Sequence, residues 1–321
     1  MKNYKFRIYP SKSQMKEMNT HRWIAKNLWN NLLQYCKETY EKTGKFPTKS
    51  DLQGKTKDSG LYSQSSQNVS HKIHNAMVRY FKAKKKNQKA GFPRFKNMDR
   101  LKSIYYPQSG FWLNDKLKVS PFGELNIRKH REIKGVIKTL TLKREATGKW
   151  FAIFCAEQPT EPIRENTGER VGIDLGLITF AHLSNGQKII NPHHIKIYED
   201  KLAFYQRELA NKKKGSSNRR KAKYQVAKIH ERLANARLDF LHKTSTKLVN
   251  SYSLIALEKL ASQEMAMQGH GKNINDAGWG MFANMIAYKA ESAGCKAVFV
   301  NPKNTSKECS ACGKLVNKTL W

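Results

Sequence analysis

The sequence predicts an α/β multidomain fold, in which a small β-barrel with a helical insertion is followed by an alternating α/β domain. Three observations carry this. Residues 3–9 read as a strand that has no partner nearby in sequence. Five short apolar runs between residues 104 and 155 have the spacing of a small barrel or sandwich. Beyond about residue 168 the pattern changes to strands separated by long helical stretches.

In the first of these elements Tyr4, Phe6 and Ile8 alternate with Lys5 and Arg7, as in a half-buried strand, and Pro10 ends it. Ser11 or Ser13 can cap the helix that follows, where Met15, Met18, Trp23, Leu28, Trp29, Leu32, Leu33 and Tyr40 keep helical spacing up to about Gly44. A polar, Ser-, Gln- and Lys-rich stretch runs from 48 to 66. A second helix is expected from Gln67 to Lys86, with Val69, Ile73, Ala76, Met77, Tyr80 and Phe81 facing inward. Gly91-Phe-Pro-Arg-Phe-Lys96 is a rigid turn that opens the β-rich segment. Its strands fall at 104–106, 117–119, 125–127, 136–143 and 150–155, separated by turns at Asn114-Asp115, 121–123 and 146–148. The strand at 3–9 must pair with these, so one β domain comprises residues 1–10 and 97–167, interrupted by a helical domain at 11–96.

A Pro- and Glu-bearing linker at 161–169 leads to two strands, 170–176 and 177–183. A helical hairpin follows over 198–250, broken at Gly215-Ser-Ser217, and then a strand at 253–258. Residues 261–275 read as a polar loop, Asn275 or Asp276 as the cap of a helix to about Ala293, and 296–300 as a last strand.

The chain of 321 residues carries 60 Lys and Arg against 25 Asp and Glu, a net charge of +35 spread along its whole length. A solvated surface does not need that excess. A polyanion is required to offset the self-repulsion, and nucleic acid is the usual one. No apolar run approaches the roughly 20 residues of a membrane span, and no secretory signal is present, so no membrane partner and a cytoplasmic location are expected. Five cysteines with a single Cys-x-x-Cys suit a reducing compartment and a metal site, with Cys36, Cys155 and Cys295 among apolar neighbours as core residues.

Two strands carry one carboxylate each: Val171-Gly-Ile-Asp-Leu-Gly176, centred on Asp174, and Leu254-Ile-Ala-Leu-Glu-Lys-Leu260, centred on Glu258. An acidic residue at the end of a buried strand is costly unless it meets a cation. Either residue alone reads equally well as an ordinary strand-end or surface acid. Together, on separate strands of a β/α pattern, they favour an RNase H-like fold. There, carboxylates on adjacent strands hold two Mg²⁺ ions, one activating the attacking water and the other stabilising the leaving 3′ oxygen. A third carboxylate for that chemistry does not stand out in the sequence.

Cys309-x-x-Cys312-Gly313 supplies two thiolates on a tight turn, half of a four-ligand structural Zn²⁺ site; Cys295 and His270 are poor candidates for the rest. Gln64, Gln67, Asn68 and Gln108 lie among aromatic and hydroxyl residues and can read base edges, since Gln and Asn pair bidentately with adenine. From composition alone a helix cap with an exposed face describes them better.

These pieces together resemble the TnpB family, RNA-guided nucleases of bacterial insertion sequences related to type V CRISPR effectors. The matching segments are Phe6-Arg-Ile-Tyr-Pro10, Gly91-Phe-Pro-Arg-Phe95, Gly172-Ile-Asp-Leu-Gly176, Arg237-Leu-Asp-Phe-Leu-His-Lys243, Leu257-Glu-Lys-Leu260, Asp276-Ala-Gly-Trp-Gly280 and Cys309-Ser-Ala-Cys-Gly313, in the family's order. The resemblance implies that the β domain is the wedge and its helical insertion the recognition domain, holding a guide RNA from the transposon end. It implies that residues 168–321 are a RuvC nuclease domain, with the first half of a zinc ribbon from about 303. Asp174 and Glu258 fall on two of the family's three catalytic carboxylates, and Gln64, Gln67, Asn68 and Gln108 near positions that contact the motif flanking the target. The implied activity is Mg²⁺-dependent cleavage of guide-matched double-stranded DNA. Guided DNA binding without cleavage, as a repressor, is the alternative, and strand transposition without RNA a third. Family members continue through a second Cys-x-x-Cys and a third catalytic Asp; this sequence stops at Trp321, so both are expected to be missing from it.

Overall fold

The computed structural model describes residues 1–159, 166–260 and 271–301, together with Cys312 and Lys314. It divides into two compact units, Met1–Thr160 and Glu161–Trp321.

The first unit runs β1 (Lys2–Tyr9), α1 (Lys12–Thr43), α2 (Lys49–Gly54), α3 (Ser63–Lys85), β2 (Ser103–Tyr106), β3 (Phe111–Leu113), β4 (Leu117–Val119), β5 (Gly123–Arg128), β6 (Val136–Arg144) and β7 (Trp150–Glu157). The seven strands form one sheet in the order β2-β6-β7-β1-β5-β4-β3, curled into a nearly closed barrel. The N-terminal strand takes the central place, antiparallel to β5 and β7. Its inward residues Tyr4, Phe6 and Ile8 lie opposite Phe154, Ala152 and Trp150, and all six are buried. An amphipathic strand whose apolar face must be covered thus waits for partners more than a hundred residues away.

The helices between β1 and β2 form their own core around Leu32, Leu33, Cys36, Leu52, Ile73 and Met77. Ser11 caps α1 through a reciprocal pair with Gln14, and Gly44 ends it at φ 68°. The Gln14 amide also donates to the carbonyls of Phe122 and Glu124, which ties the start of α1 to the barrel. Buried Arg22 donates to the carbonyls of Met98 and Leu101 and so holds the return connection. Burial, then the charge of Arg144, pulls its guanidinium down to about 10.

Two helical features depart from the sequence reading. The polar stretch after residue 47 contains α2, opened by a Thr48–Asp51 capping box, and α3 begins at Ser63 rather than Gln67. The first turns of α3 bury Ser65, Ser66 and Ser70 instead of apolar residues. Each hydroxyl donates to a carbonyl, of Tyr105, Ser63 and Gln67 respectively, so small polar side chains pack without an unsatisfied group and leave no apolar periodicity to read.

The second unit runs β8 (Arg170–Leu175), β9 (Thr179–Leu183), β10 (Lys188–Ile190), α4 (His194–Ala210), α5 (Ser217–Ser251), β11 (Leu254–Glu258), α6 (Gly271–Ala277), α7 (Trp279–Ala293) and β12 (Lys296–Val300). The sheet order is β10-β9-β8-β11-β12, with β8, β11 and β12 mutually parallel and β9 antiparallel to β8. Val171, Ile173, Ile255 and Leu257 point into a core shared with Leu241, Leu248, Phe282 and Ile286 of α5 and α7. Strand β10 is an addition to the elements expected from the sequence.

The polar loop expected over 261–275 lies outside the described residues up to 270, and from Gly271 onward it is α6. The helix expected to start at Asn275 or Asp276 starts instead at Trp279. Those two residues lie inside α6, and Gly278 separates the helices in the left-handed region, φ 67°. A Cβ on Gly278 would lie 2.9 Å from Met281 Cε and 3.2 Å from both Arg237 Cδ and Leu241 Cδ1. Gly278→Ala is therefore expected to cost about 1–2 kcal/mol from backbone conformation alone, read as a lower denaturation midpoint of the second unit. An unchanged midpoint would mean that the α6–α7 joint relaxes without cost.

Candidate active site

The register of β8 and β11 pairs Val171 with Ile255, Gly172 with Ala256 and Ile173 with Leu257. The next step along both strands sets Asp174 beside Glu258. Because Val171, Ile173, Ile255 and Leu257 face the core, the alternation of side chains sends both carboxylates to the opposite face, at the carboxyl ends of two parallel strands. Asp174 is exposed and Glu258 half-buried. On that face the neighbours one step back are Gly172 and Ala256, so the approach to the carboxylates is low. Gly176 instead permits the tight β8–β9 turn, where a Cβ would lie 2.7 Å from Thr179 O.

The row continues to either side. β9 sets His182 opposite Asp174, and β12 sets Val300 opposite Glu258. His182 is exposed on the same face, with cross-strand Cβ atoms about 4.5–5.5 Å apart in such pairs. Sequence reading missed His182, because its place depends on the register that the β8–β9 turn imposes. Among the described residues no donor engages the Asp174 carboxylate, which leaves it open to a cation. Two hard oxygen ligands on one face fit a divalent ion such as Mg²⁺. No group of three or more metal-ligating side chains occurs among the described residues.

The zinc pair falls largely outside the described residues. Cys309 and His270 lie outside the described residues, and Cys312 is an exposed free thiol. Cys295 is buried, and burial pushes its thiol up, away from the thiolate a metal needs.

The four amide residues belong to the first unit. Gln64, Gln67 and Asn68 lie on the first two turns of α3, and Gln108 is exposed in the loop after β2. That loop is laced to α3: Ser109 N donates to Gln64 Oε1 at 3.1 Å, Tyr62 and Ser109 share a hydroxyl contact at 2.8 Å, and Ser65 Oγ donates to Tyr105 O. Gln64 therefore braces the loop through its carbonyl oxygen, while Gln67 and Asn68 are half-buried on the helix.

Comparison with known proteins places this architecture. Family models match residues 1–45 ("Helix-turn-helix domain"), 153–268 ("Probable transposase") and 279–321 ("Cas12f1-like, TNB domain"). A Streptomyces pristinaespiralis protein named "Putative RNA-guided DNA endonuclease" is 30% identical over 98% of this chain and 81% of its own length. The chain belongs to the TnpB family. Another relative, Escherichia coli InsQ, with the same descriptive name, is 27% identical over 97% of the chain and 83% of its length. The mimivirus TnpB-like protein L79 is 23% identical over 68% of the chain and 45% of its length. A solved Cas12f1–sgRNA–target DNA complex shares the fold, with TM-score 0.59 at 15% identity over 96% of this chain and 77% of that one. In this TnpB-family chain the stretch matched as helix-turn-helix holds β1 and the continuous helix α1, with no turn between two helices. Among the described residues no helix is long and apolar enough to cross a membrane.

Proposed function

We propose that the chain is an RNA-guided DNA endonuclease that cleaves target double-stranded DNA beside a short flanking motif and works in the cytoplasm. The observation that carries this reading is the placement of Asp174 and Glu258 side by side on the open face of adjacent parallel strands, in a chain of net charge +35. The names of its relatives support the same reading. The guide RNA, from the transposon end, supplies sequence specificity by base pairing, and the basic surface holds both nucleic acids through phosphate. The first unit serves as wedge and recognition domains, with Gln67 as the first candidate for reading the flanking motif and Asn68 and Gln108 beside it. Residues 168–321, within the second unit, serve as the RuvC-like nuclease.

In that unit Asp174 and Glu258 hold Mg²⁺ through their oxygens, and the low Gly172–Ala256 surface admits the phosphate backbone. When bound, the ions supply a nucleophilic water at neutral pH and neutralise charge on the leaving oxygen. His182, exposed opposite Asp174 on the same face, would meet the same phosphate. Structural zinc through Cys309 and Cys312 belongs to this proposal too, since two thiolates on a Cys-x-x-Cys turn suit that ion.

The test is to purify the chain, sequence the RNA that accompanies it, and assay cleavage of a guide-matched plasmid in Mg²⁺ with and without that RNA. Cleavage that needs both RNA and Mg²⁺ is expected. Cleavage without RNA would support a transposase-type reading. Tight guided binding with no cut would support the repressor.

A further inference from the structure

A cavity of about 450 Å³ opens immediately beside Glu258. That is a ligand-sized volume, within the roughly 300–1,000 Å³ typical of small-molecule sites. Aromatic rings of Trp279 and Phe299 line it, together with Asn284 and Lys259. The wall supplied by α7 is made of small residues, Ala283 and Ala287. Trp279 is only 4% exposed, and its Nε1–H finds no acceptor among the described residues. Unsatisfied buried donors are rare and call for an explanation.

Flat aromatic rings, one side-chain amide and one ammonium group match the base and the phosphate of a nucleotide. Rings stack any base, an amide reads a base edge, and a lysine meets phosphate. The cavity shares Glu258 with the carboxylate pair. Leu175 and Phe299 place the cavity on the α7 side of the strand ends, while the carboxylate pair faces the other side, so a phosphodiester at Asp174 and Glu258 turns a neighbouring base over the end of β11 to reach the cavity mouth. A base still paired in a duplex cannot enter; an unpaired one can.

We propose that this cavity receives the unpaired base of the nucleotide flanking the scissile phosphate, and that Asn284 gives the cut a base preference. The proposal rests on the reading of Asp174 and Glu258 as the nuclease centre. The specificity it adds is independent of guide pairing and of the flanking motif. It also requires the DNA strand to be unpaired when it reaches the site.

The experiment uses the full chain with its guide RNA and carries Asp174→Ala, so that the DNA stays intact. 2-Aminopurine is placed in turn at each position around the cut, and its fluorescence is read on complex formation. One position is expected to change, and Ala283→Leu, which fills the cavity, should abolish that change while guided binding keeps its affinity. In the active chain, Asn284→Ala should reduce the preference among the four bases at that position by about tenfold. Ala283→Leu should lower the cleavage rate at least tenfold, with α7 still folded by circular dichroism. If Ala283→Leu fails to fold, Asn284→Ala on the exposed edge of the helix decides. A 2-aminopurine signal unchanged in folded Ala283→Leu, or an unaltered cut-site preference in Asn284→Ala, overturns the proposal. A chain that cuts nothing at all overturns the nuclease reading instead, and the fluorescence arm still reports on the cavity.

Discussion

Asp174→Ala and Glu258→Ala should each abolish cleavage while leaving guided DNA binding within a fewfold of the parent chain. On the proposed mechanism each change removes a metal ligand at the point where charge develops, an interaction worth several kcal/mol in the transition state, so a loss of about a thousandfold or more is expected. Asp174 is exposed without a partner among the described residues, and Glu258 is the last residue of its strand, so both changes fall at the sheet's edge rather than in its core. Asp174→Asn separates charge from shape and should be as inactive as alanine, because a neutral amide is a poor ligand for a hard dication. The readouts are a plasmid-cleavage rate and a gel-shift affinity on the same preparations. A near-parental rate in either variant would place the metal elsewhere.

The two carboxylates were legible in the sequence through the strand pattern that places them. In Val171-Gly-Ile-Asp174 and Ile255-Ala-Leu-Glu258 the alternation of apolar and small residues fixes which face is buried, and the acids close each strand on the other face. The barrel was legible because Tyr4, Phe6 and Ile8 need an apolar partner surface that only residues 123–157 supply. What stayed hidden depends on contacts between distant residues. The first turns of α3 bury serines whose hydroxyls bond back to carbonyls, so no apolar stripe marks them. His182 enters the site through the register of one tight turn. The cavity beside Glu258 needs α7 laid across the ends of β11 and β12, with Ala283 and Ala287 reading locally as ordinary helix residues. Helix α6 hides for a related reason: its sequence, Gly271-Lys-Asn-Ile-Asn-Asp-Ala277, is polar and glycine-led, and one of its polar residues is held by a partner on α5.

That partner is Arg237, and removing it should give a large stability loss in the second unit. Its Nε donates to Asp276 O at 2.8 Å and its Nη2 to Asp276 Oδ1 at 3.1 Å, while Asp276 Oδ2 accepts from Ile195 N at 3.0 Å. One carboxylate thus joins α5, α6 and the first turn of α4, and only 10% of its side chain is exposed, against 19% for Arg237. Truncating one partner strands the other charge in a poorly hydrated site, a loss of about 3–5 kcal/mol, whereas exchanging both for apolar residues of similar volume is often nearly neutral. Arg237→Ala and Asp276→Ala should each lower the melting temperature by about 10 °C, with hydrogen exchange accelerated across α5, α6 and α7. Arg237→Met combined with Asp276→Leu should lose less than either alanine variant. That ordering distinguishes a buried ion pair from simple loss of packing, for which the two changes would add. Additive losses, or single variants that melt with the parent, would mean that the α4–α6 frame behind the active site is held by its apolar core alone.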